Sequence, residues 1–357
     1  MRALHLISSP ERRGAQLFAL QLTEAIADGT EAVVLALSAT SQPDPLGVEV
    51  LARRRWDPRG LLQLISMARS FDVIIGHGSS TLIHGGFVAA RSNRPFIYRN
   101  IGDPAAWSDV RFADARIGRW MRSASAVVSL YPTAAEYLMK TYRIPSDRVE
   151  VIPNAVPHTR APVPTDKPAA REQLGLDPCR PWVLLLGALT EEKQPSIAIR
   201  AVASLPDVGM VIAGSGPEEA DCRRLAAELA PGRVRFLGVT STPEHALAAS
   251  DVLVLPSRTE GVPAAAIEAG LAGLPVVASA VGGVGSIVID GETGILVNEP
   301  IPALFAEAIM KALDRQGPLG TAAIQRCMDQ FTFDSVAPLW ASLINRAATG
   351  FGPPFRS

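Results

Sequence analysis

Cysteine is scarce in this 357-residue chain, with only Cys179, Cys222 and Cys327. The three residues stand far apart and show neither the close pairing of a disulfide framework nor the spacing of a metal site. We therefore expect free thiols in a reducing compartment. Clusters of Asp or His with metal-ligand spacing are also missing from the sequence, and we expect neither a metal nor a cofactor.

Excess charge and long apolar runs are lacking as well. The chain has 34 basic and 35 acidic residues and a net charge of −1, which argues against nucleic acid as a partner. No apolar run approaches the roughly 18 residues of a membrane span. The N-terminal segment Met1–Ile7 is too short for a signal peptide and is typical of a first strand. We expect a cytoplasmic protein.

Two domains of ordinary size fit this length and a composition that is 48% hydrophobic and 19% charged. Apolar strand patterns alternate with helical patterns in both halves, which favours an α/β fold with doubly wound parallel sheets. A proline-rich stretch at 157–168 has few apolar residues and is typical of a linker. We predict an N-terminal domain at 1–156, a C-terminal domain at 169–330 and a final helix within 331–357 that packs on the N-terminal domain.

The stretch Pro256–Gly270 carries the most specific pattern in the sequence. It follows the apolar strand Asp251–Leu255 and runs into a short helix, which Pro263 suits at its first turn and Gly273 ends. Free amides at a helix N-terminus favour an anion such as phosphate. The sequence therefore predicts phosphate binding where this loop meets the helix.

Two carboxylates, Glu260 and Glu268, flank this helix N-terminus. Glu268 stands among small apolar residues, where a buried charge needs hydrogen-bond partners, and the hydroxyls of a ribose would supply them. A glycosidase pair is disfavoured, because eight helical steps separate the two backbones by roughly 12 Å. The carboxyl groups of glycosidases lie roughly 5–9.5 Å apart. The alternative is that Glu260 only complements the helix dipole while Glu268 lies on a solvated face.

The segment Pro256–Val297 resembles the donor-site signature of glycosyltransferase family 4, retaining enzymes of the GT-B architecture. The matching features are the two glutamates with seven residues between them, Ala272–Ala278, Gly282-Gly283 and Asp290–Gly294. The resemblance extends more thinly over most of the chain. It implies two facing Rossmann-like domains with an interdomain cleft. It also implies transfer of a hexose, with retention, from a UDP- or GDP-linked sugar to a saccharide or lipid-linked acceptor in polysaccharide or glycolipid biosynthesis.

The resemblance also implies roles for single residues of the C-terminal domain. Lys193 and Glu260 are the implied catalytic residues: the lysine stabilises the departing diphosphate and the glutamate holds the transferred sugar. Glu268 is implied to hold the ribose. The other implied donor contacts are Gly214, Gly216, Leu237, Ser257, Gly261 and Val262.

Three positions depart from the family pattern. Ala188 stands where the family has an arginine that clamps the diphosphate together with the lysine. Ser286 stands where many relatives have a glutamate, and no histidine lies near Ile101. These departures keep open a second interpretation, in which the chain is a catalytically weak nucleotide-sugar-binding relative.

Candidate acceptor-side residues lie in the N-terminal domain. His77 and Asp103 follow predicted strands, whose carboxyl ends carry the sites of doubly wound domains. Gly14 lies in the turn after the first strand, which faces the acceptor and the donor phosphates in the family that the chain resembles. An ordinary strand-to-helix turn is the alternative there. An inverting transferase or a sugar-nucleotide epimerase on the same fold would need His77 or Asp103 as its general base.

Two basic stretches suggest a surface partner. Arg53–Trp56 places three arginines beside a tryptophan, and a predicted helix at 110–122 carries several more arginines. Such stretches meet acidic acceptors or anionic lipid headgroups, although a solvated surface is the alternative. Peripheral contact with an anionic membrane is therefore an open expectation.

Overall fold

The computed structural model describes residues 1–40, 45–107, 111–158, 167–240 and 242–350. Two compact units are formed. Unit 1 combines Met1–Ala155 with the segment that starts at Phe333, and unit 2 is Val156–Thr332. Within the described ranges, the helices are all too short or too polar to cross a bilayer.

Unit 1 is a parallel sheet covered by helices. Its strands are β1 (Arg2–Ile7), β2 (Glu31–Ala36), β3 (Glu49–Val50), β4 (Val73–His77), β5 (Phe96–Arg99), β6 (Ala126–Ser129) and β7 (Val149–Val151). The helices before unit 2 are α1 (Gly14–Ala25), α2 (Pro58–Ala68), α3 (Ser79–Ser92), α4 (Arg111–Ser123) and α5 (Pro132–Tyr142). The strands β4, β5 and β6 are buried along their whole length, as expected for parallel strands covered on both faces.

The strand order of unit 1 is β3-β2-β1-β4-β5-β6-β7, and every pair is parallel. The order reverses between β1 and β4, which is the switch point of a doubly wound sheet. One sheet face packs on a core that includes Leu82, Phe96 and Leu138. The opposite face packs on Phe18 of α1 and on residues that follow Phe333.

Unit 2 repeats the same plan with six strands. They are β8 (Trp182–Leu186), β9 (Gly209–Ala213), β10 (Val234–Gly238), β11 (Val252–Leu255), β12 (Val276–Ser279) and β13 (Gly294–Val297). Its helices are α6 (Lys167–Leu174), α7 (Pro195–Ala203), α8 (Glu219–Leu229), α9 (Pro243–Ala249), α10 (Ala264–Leu271), α11 (Val284–Ile287), α12 (Pro302–Asp314) and α13 (Gln316–Gln330). Prolines open α7, α9 and α12, where the missing N–H costs nothing.

The strand order of unit 2 is β10-β9-β8-β11-β12-β13, again entirely parallel. The chain runs outward through β8, β9 and β10 and then returns to place β11 beside β8. The order therefore reverses between β8 and β11, and the loops that follow these two strands leave the same edge of the sheet side by side.

A last helix, α14 (Phe333–Gly350), returns to unit 1. Its Trp340 is fully buried, and the indole lies 6.2 Å from the ring of Phe18 in α1. The final helix was placed within 331–357 from the sequence; residues 351–357 lie outside the described ranges.

The fold class is confirmed, since each unit is a doubly wound α/β domain of the Rossmann type. Some boundaries differ from the prediction. Of the predicted linker at 157–168, residues 159–166 lie outside the described ranges, and Lys167 and Pro168 already belong to α6. Helix α13 was not predicted, because Gly317, Pro318 and Gly320 are poor helix formers.

Candidate active site

The side chains of Lys193 and Glu260 meet at the carboxyl edge of the unit 2 sheet. Lys193 Nζ lies 2.7 Å from each carboxylate oxygen of Glu260, although the two residues are 67 positions apart in the sequence. The lysine side chain is 31% exposed and the glutamate side chain 6%. Ser257 donates its hydroxyl to Oε1 of the same carboxylate at 2.7 Å. Two residues predicted separately as catalytic thus form one hydrogen-bonded group with a third.

Backbone contacts between the two loops hold this group in place. Lys193 ends a 3-10 turn, Glu191–Lys193, after β8, and Gln194 then takes a φ of +48° before α7 begins. Arg258, in the loop after β11, donates its N–H to the carbonyl oxygen of Glu192 at 2.8 Å. The loops that carry Lys193 and Glu260 are therefore tied together at the switch point of the sheet.

Two glycines beyond β12 support the backbone of Glu260. Gly282 has a φ of +52°, and a Cβ there would overlap the carbonyl oxygen of Glu260. Gly283 donates its N–H to the carbonyl oxygen of Gly261 at 2.9 Å. The clash explains the glycine at position 282, because any side chain there would displace the loop that carries Glu260.

Helix α10 starts directly after this loop. Pro263 is its N-cap and makes no side-chain hydrogen bond, so the structure places the proline one residue before the first turn expected for it. Gly273 ends the helix with a φ of +73°. Glu268 lies in the helix and is 7% exposed, like Glu260. Both glutamates of the signature are thus buried, which disfavours the alternative of a solvated face for Glu268.

Backbone packing explains why positions 214 and 216 are glycines, and this reason could not be predicted from the sequence. A Cβ at Gly214, whose φ is +144°, would overlap the carbonyl oxygen of Gly187. A Cβ at Gly216 would overlap the carbonyl oxygen of Leu189. The loops after β8 and β9 therefore pack backbone against backbone, and this packing alone requires both glycines. Leu237 is half-buried in the edge strand β10.

Position 188 is an exposed alanine in the loop after β8. It lies five residues before Lys193 and ends in a methyl group, so it adds no cation to the edge. Ser257 and Val262 are buried in the loop after β11, and Gly261 is half-buried. Across the described ranges, no three His, Cys, Asp or Glu side chains come together in a way that could hold a metal ion.

His77 is buried inside unit 1. The residue is 3% exposed, and its Nε2 lies 3.0 Å from Nδ1 of His5 on the neighbouring strand β1. Burial holds the pKa of His77 well below its usual range, and the nearby His5 and Arg99 lower it further. Phe18 and Trp340 pack against its ring. The sequence predicted His77 at the accessible end of a strand; in the structure the helices α1 and α14 cover it.

The other acceptor-side candidates are accessible. Gly14 is exposed at the first turn of α1, and a Cβ there would meet no atom within 4 Å. Asp103 is half-buried and accepts the N–H of Ala105 at 3.0 Å. The phenol of Tyr131 also hydrogen-bonds to Asp103. The pKa of the tyrosine is raised, mainly by burial and to a smaller extent by the nearby carboxylate of Asp103. The carboxylate of Asp103 is thus engaged by its own loop and by the residue that precedes α5.

No role was predicted for Arg99 from the sequence, although an arginine at the end of an apolar strand indicates a buried charge. It is 1% exposed, its guanidinium lies 3.6 Å from the ring centre of Phe18, and it donates to Oδ1 of Asn154 at 3.0 Å. Burial lowers the pKa of Arg99 to about 9. Together with His5 and His77 it forms a buried polar layer between the unit 1 sheet and α1.

Known proteins match this chain in two ways. A family model described as glycosyltransferase family 4 matches residues 12–160, and one described as glycosyl transferases group 1 matches residues 166–326. The D-inositol 3-phosphate glycosyltransferase of Mycolicibacterium gilvum is 33% identical in an alignment 228 residues long that covers 61% of this chain and 49% of that protein. That of Nocardia farcinica is 35% identical over 56% of this chain and 48% of that protein. The chain thus spans about half the length of the curated relatives it matches.

Solved structures share the fold. Anabaena Alr3699/HepE in complex with UDP-glucose superposes with a TM-score of 0.85 at 21% identity, over 97% of this chain and 99% of that one. Sucrose-phosphate synthase from Thermosynechococcus elongatus gives 0.81 at 22% identity, over 97% and 98%. Because the two family models together account for nearly all of residues 12–326, and both units have the expected Rossmann-like topology, the chain belongs to glycosyltransferase family 4 with the GT-B fold.

Proposed function

We propose that this chain transfers a sugar from a nucleotide-diphosphate donor to a saccharide or lipid-linked acceptor with retention of the anomeric configuration. The observation that carries the proposal is the contact between Lys193 and Glu260 beside the N-terminus of α10. A cation, a buried carboxylate and the amides of a helix N-terminus thus lie close together at the carboxyl edge of the unit 2 sheet. In our proposal, the diphosphate and the sugar of the donor bind there side by side.

The diphosphate is held by positive charge at this edge. An ammonium has three N–H donors, and two of those on Lys193 are directed at the oxygens of Glu260. The third is directed at a phosphate oxygen in our proposal. The amide of Gly261 and the N-terminus of α10 supply further donors, beside the buried Val262. These groups stabilise the negative charge that develops on the departing diphosphate, which is the main contribution that a protein makes to such a transfer.

Glu260 and Glu268 bind the two sugars of the donor. Glu260 accepts hydroxyls of the transferred sugar, while Lys193 and Ser257 fix the orientation of its carboxylate. Glu268 accepts the ribose hydroxyls from within α10. Each carboxylate gains charge-assisted hydrogen bonds, which are about twice as strong as neutral ones.

Retention follows from the way the acceptor proton leaves. The acceptor hydroxyl attacks the anomeric carbon on the face from which the diphosphate departs, and a phosphate oxygen takes the proton. The carbon–oxygen bond to the acceptor forms as the bond to the diphosphate breaks, so no protein base is needed. Two observations support this route, because an inverting enzyme would need His77 or Asp103 as its base. His77 is buried, and the carboxylate of Asp103 already accepts the N–H of Ala105 and hydrogen-bonds to Tyr131.

The relatives support the donor class. The curated relatives are named as glycosyltransferases, and the Anabaena structure contains UDP-glucose. We propose a UDP-linked sugar as the first donor to test and a GDP-linked sugar as the second. Since Lys193 and α10 supply the positive charge, we propose that turnover needs no metal and continues in EDTA. The buried thiols of Cys222 and Cys327 fit a reducing compartment such as the cytoplasm.

Calorimetry with UDP, GDP, ADP and dTDP tests the donor site directly. One of them is expected to bind, and at a hundredfold above its dissociation constant it should stabilise the chain by about 2.7 kcal/mol. NMR of the product formed from the matching nucleotide sugar then reads the anomeric configuration. No binding of any of the four up to millimolar concentration, or an inverted product, contradicts the proposal.

The exposed Ala188 favours a second candidate, a nucleotide-sugar-binding relative with weak turnover. An edge without a cation at position 188 stabilises the leaving group less. The same calorimetry separates the candidates when it is combined with a donor-hydrolysis assay. Tight diphosphate binding with no transfer and no hydrolysis would favour the binding protein.

A further inference from the structure

A basic surface surrounds an exposed tryptophan in unit 1. We call it the Trp56 surface, and it consists of Arg53, Arg54, Arg55, Trp56, Arg59 and Leu62. All six residues are exposed. Trp56 is 58% exposed and Leu62 69%, which are unusually high values for large apolar side chains.

The arginines of this surface are available to a partner. Within the described part of the chain, Arg53, Arg54, Arg55 and Arg59 form no ion pair. The one acidic residue among them, Asp57, caps α2 by accepting the N–H of Arg59 at 2.9 Å. Four positive charges therefore stand beside one negative charge, in a chain whose net charge is −1.

Packing against α3 fixes the turn that presents Trp56. The ring centre of His84 lies 3.7 Å from that of Trp56, and Nε2 of His84 lies 3.0 Å from the carbonyl oxygen of Arg55, to which it donates. The indole therefore has one supported side while more than half of the residue faces solvent. A side chain fixed in this way loses little conformational entropy when it binds.

Helix α2 separates a buried face from an exposed one. Gly60, Leu64 and Ala68 are buried in unit 1. Arg59 and Leu62 are exposed on the opposite side, three residues apart and thus neighbours on the helix surface. The helix therefore presents an arginine and a leucine together, next to the tryptophan of the preceding turn.

Tryptophan and leucine beside several arginines are the side chains that bind the interface of an anionic bilayer. The indole sits at headgroup depth, the leucine enters the acyl boundary, and the guanidinium groups pair with lipid phosphates. A soluble anion would pair with the arginines but would leave Trp56 and Leu62 in water. An anionic bilayer covers both kinds of side chain at once.

We propose that the Trp56 surface docks unit 1 on an anionic lipid bilayer. The proposal does not depend on the transfer reaction, since it rests on the exposure, the charges and the fixed geometry of these residues alone. It assigns to α2 and the turn before it the task of keeping the chain at the membrane surface.

Vesicle flotation with the full chain tests the proposal. The wild-type chain is expected to bind vesicles of phosphatidylcholine with phosphatidylglycerol and not vesicles of phosphatidylcholine alone, with weaker binding at high salt. With about a fivefold contribution from each arginine, R53Q/R54Q should lower the partition coefficient about 25-fold. L62S should lower it as well, although it changes no charge.

The matched control is R223Q/R224Q in α8 of unit 2, which removes the same charge from two exposed arginines and should bind vesicles like the wild type. Fluorescence gives a second measurement: vesicles should shift the emission to the blue, and W56F should remove most of the shift despite four other tryptophans. Failure of the wild type to bind anionic vesicles overturns the proposal. So does equal loss of binding in R53Q/R54Q and the control, or an effect of R53Q/R54Q on an acceptor KM without vesicle binding.

Discussion

Lys193 Nζ bonds to both carboxylate oxygens of Glu260, and the glutamate side chain is five times less exposed than the lysine side chain. Water therefore reaches the ammonium of Lys193, whereas the buried carboxylate of Glu260 depends on that lysine to balance its charge. Removing a buried carboxylate's counter-charge costs more than the pair itself contributes, because the remaining charge stays desolvated.

Lys193→Met should for this reason destabilise the chain by about 1–3 kcal/mol, less than for a fully buried pair since water reaches the lysine. Glu260→Gln in the same chain should restore part of that loss. Urea unfolding of the two single variants and the double variant gives the coupling energy. If the losses of stability in the two single variants add up to the loss in the double variant, the contact makes no contribution to stability.

The two buried glutamates should differ in their functions. Glu268→Gln loses the charge-assisted part of its bonds to the ribose, roughly 1–2 kcal/mol, or about a five- to thirtyfold loss of nucleotide diphosphate affinity. Glu260→Gln should keep diphosphate affinity nearly intact and lower turnover more than tenfold. Calorimetry and a transfer assay measure both quantities, with Glu228→Gln on the exposed face of α8 as a control. Equal losses of diphosphate affinity in both variants would contradict the assignment.

Ala188→Arg should strengthen diphosphate binding. Position 188 is exposed in the loop that also carries Lys193, so an arginine there adds a second cation at the edge. A charge-assisted hydrogen bond contributes roughly 1.5–3 kcal/mol, less the cost of ordering the side chain. Ala188→Gln, which has no charge, is the control. If calorimetry finds the same affinity in both variants, position 188 does not face the phosphates.

Stability should fall as the pH drops below about 6.5, the usual pKa of histidine. Burial lowers the pKa of His5 to about 3 and that of His77 well below its usual range, so the folded chain keeps both rings neutral while the unfolded chain protonates them. Between the folded and unfolded pKa values the unfolded state binds more protons than the folded state. Each ring therefore lowers the free energy of unfolding by up to about 1.4 kcal/mol for every pH unit that the pH falls. Urea unfolding between pH 7 and pH 5 measures how the free energy of unfolding changes with pH. This pH dependence should be weaker in His5→Gln than in the wild type. Identical slopes would contradict the burial of a neutral ring.

The sequence predicted the sheets well and the contacts of the site only in part. Continuous apolar runs such as Trp182–Leu186 and Val252–Leu255 leave little alternative to buried parallel strands, so their positions follow from the pattern. Lys193 and Glu260 were predicted from the family signature. Their mutual contact was not, because it depends on the strand order that brings β11 beside β8.

Tertiary packing explains the remaining differences. His77 ends a strand as predicted, but Phe18 and Trp340 cover it, and Trp340 lies more than 250 positions away. Helix α13 contains Gly320 because a Cβ there would overlap the carbonyl oxygen of Gly273. A local pattern treats that glycine as a helix breaker, whereas the close approach of α13 to α10 requires it.

Unit 1 is built from two stretches of chain, with all of unit 2 between them. Val156–Thr332 is therefore synthesised before α14, and until α14 follows, the part of the sheet face that α14 covers beside α1 stays exposed. We expect unit 2 to complete its folding first and unit 1 to remain open to chaperones for the whole of that interval. Limited proteolysis of a released chain that ends before Phe333 should cleave within residues 1–155 and spare unit 2; equal protection of both would contradict this expectation. Fusions or truncations that remove α14 should accordingly impair the first half of the chain, far from the site of the change in sequence.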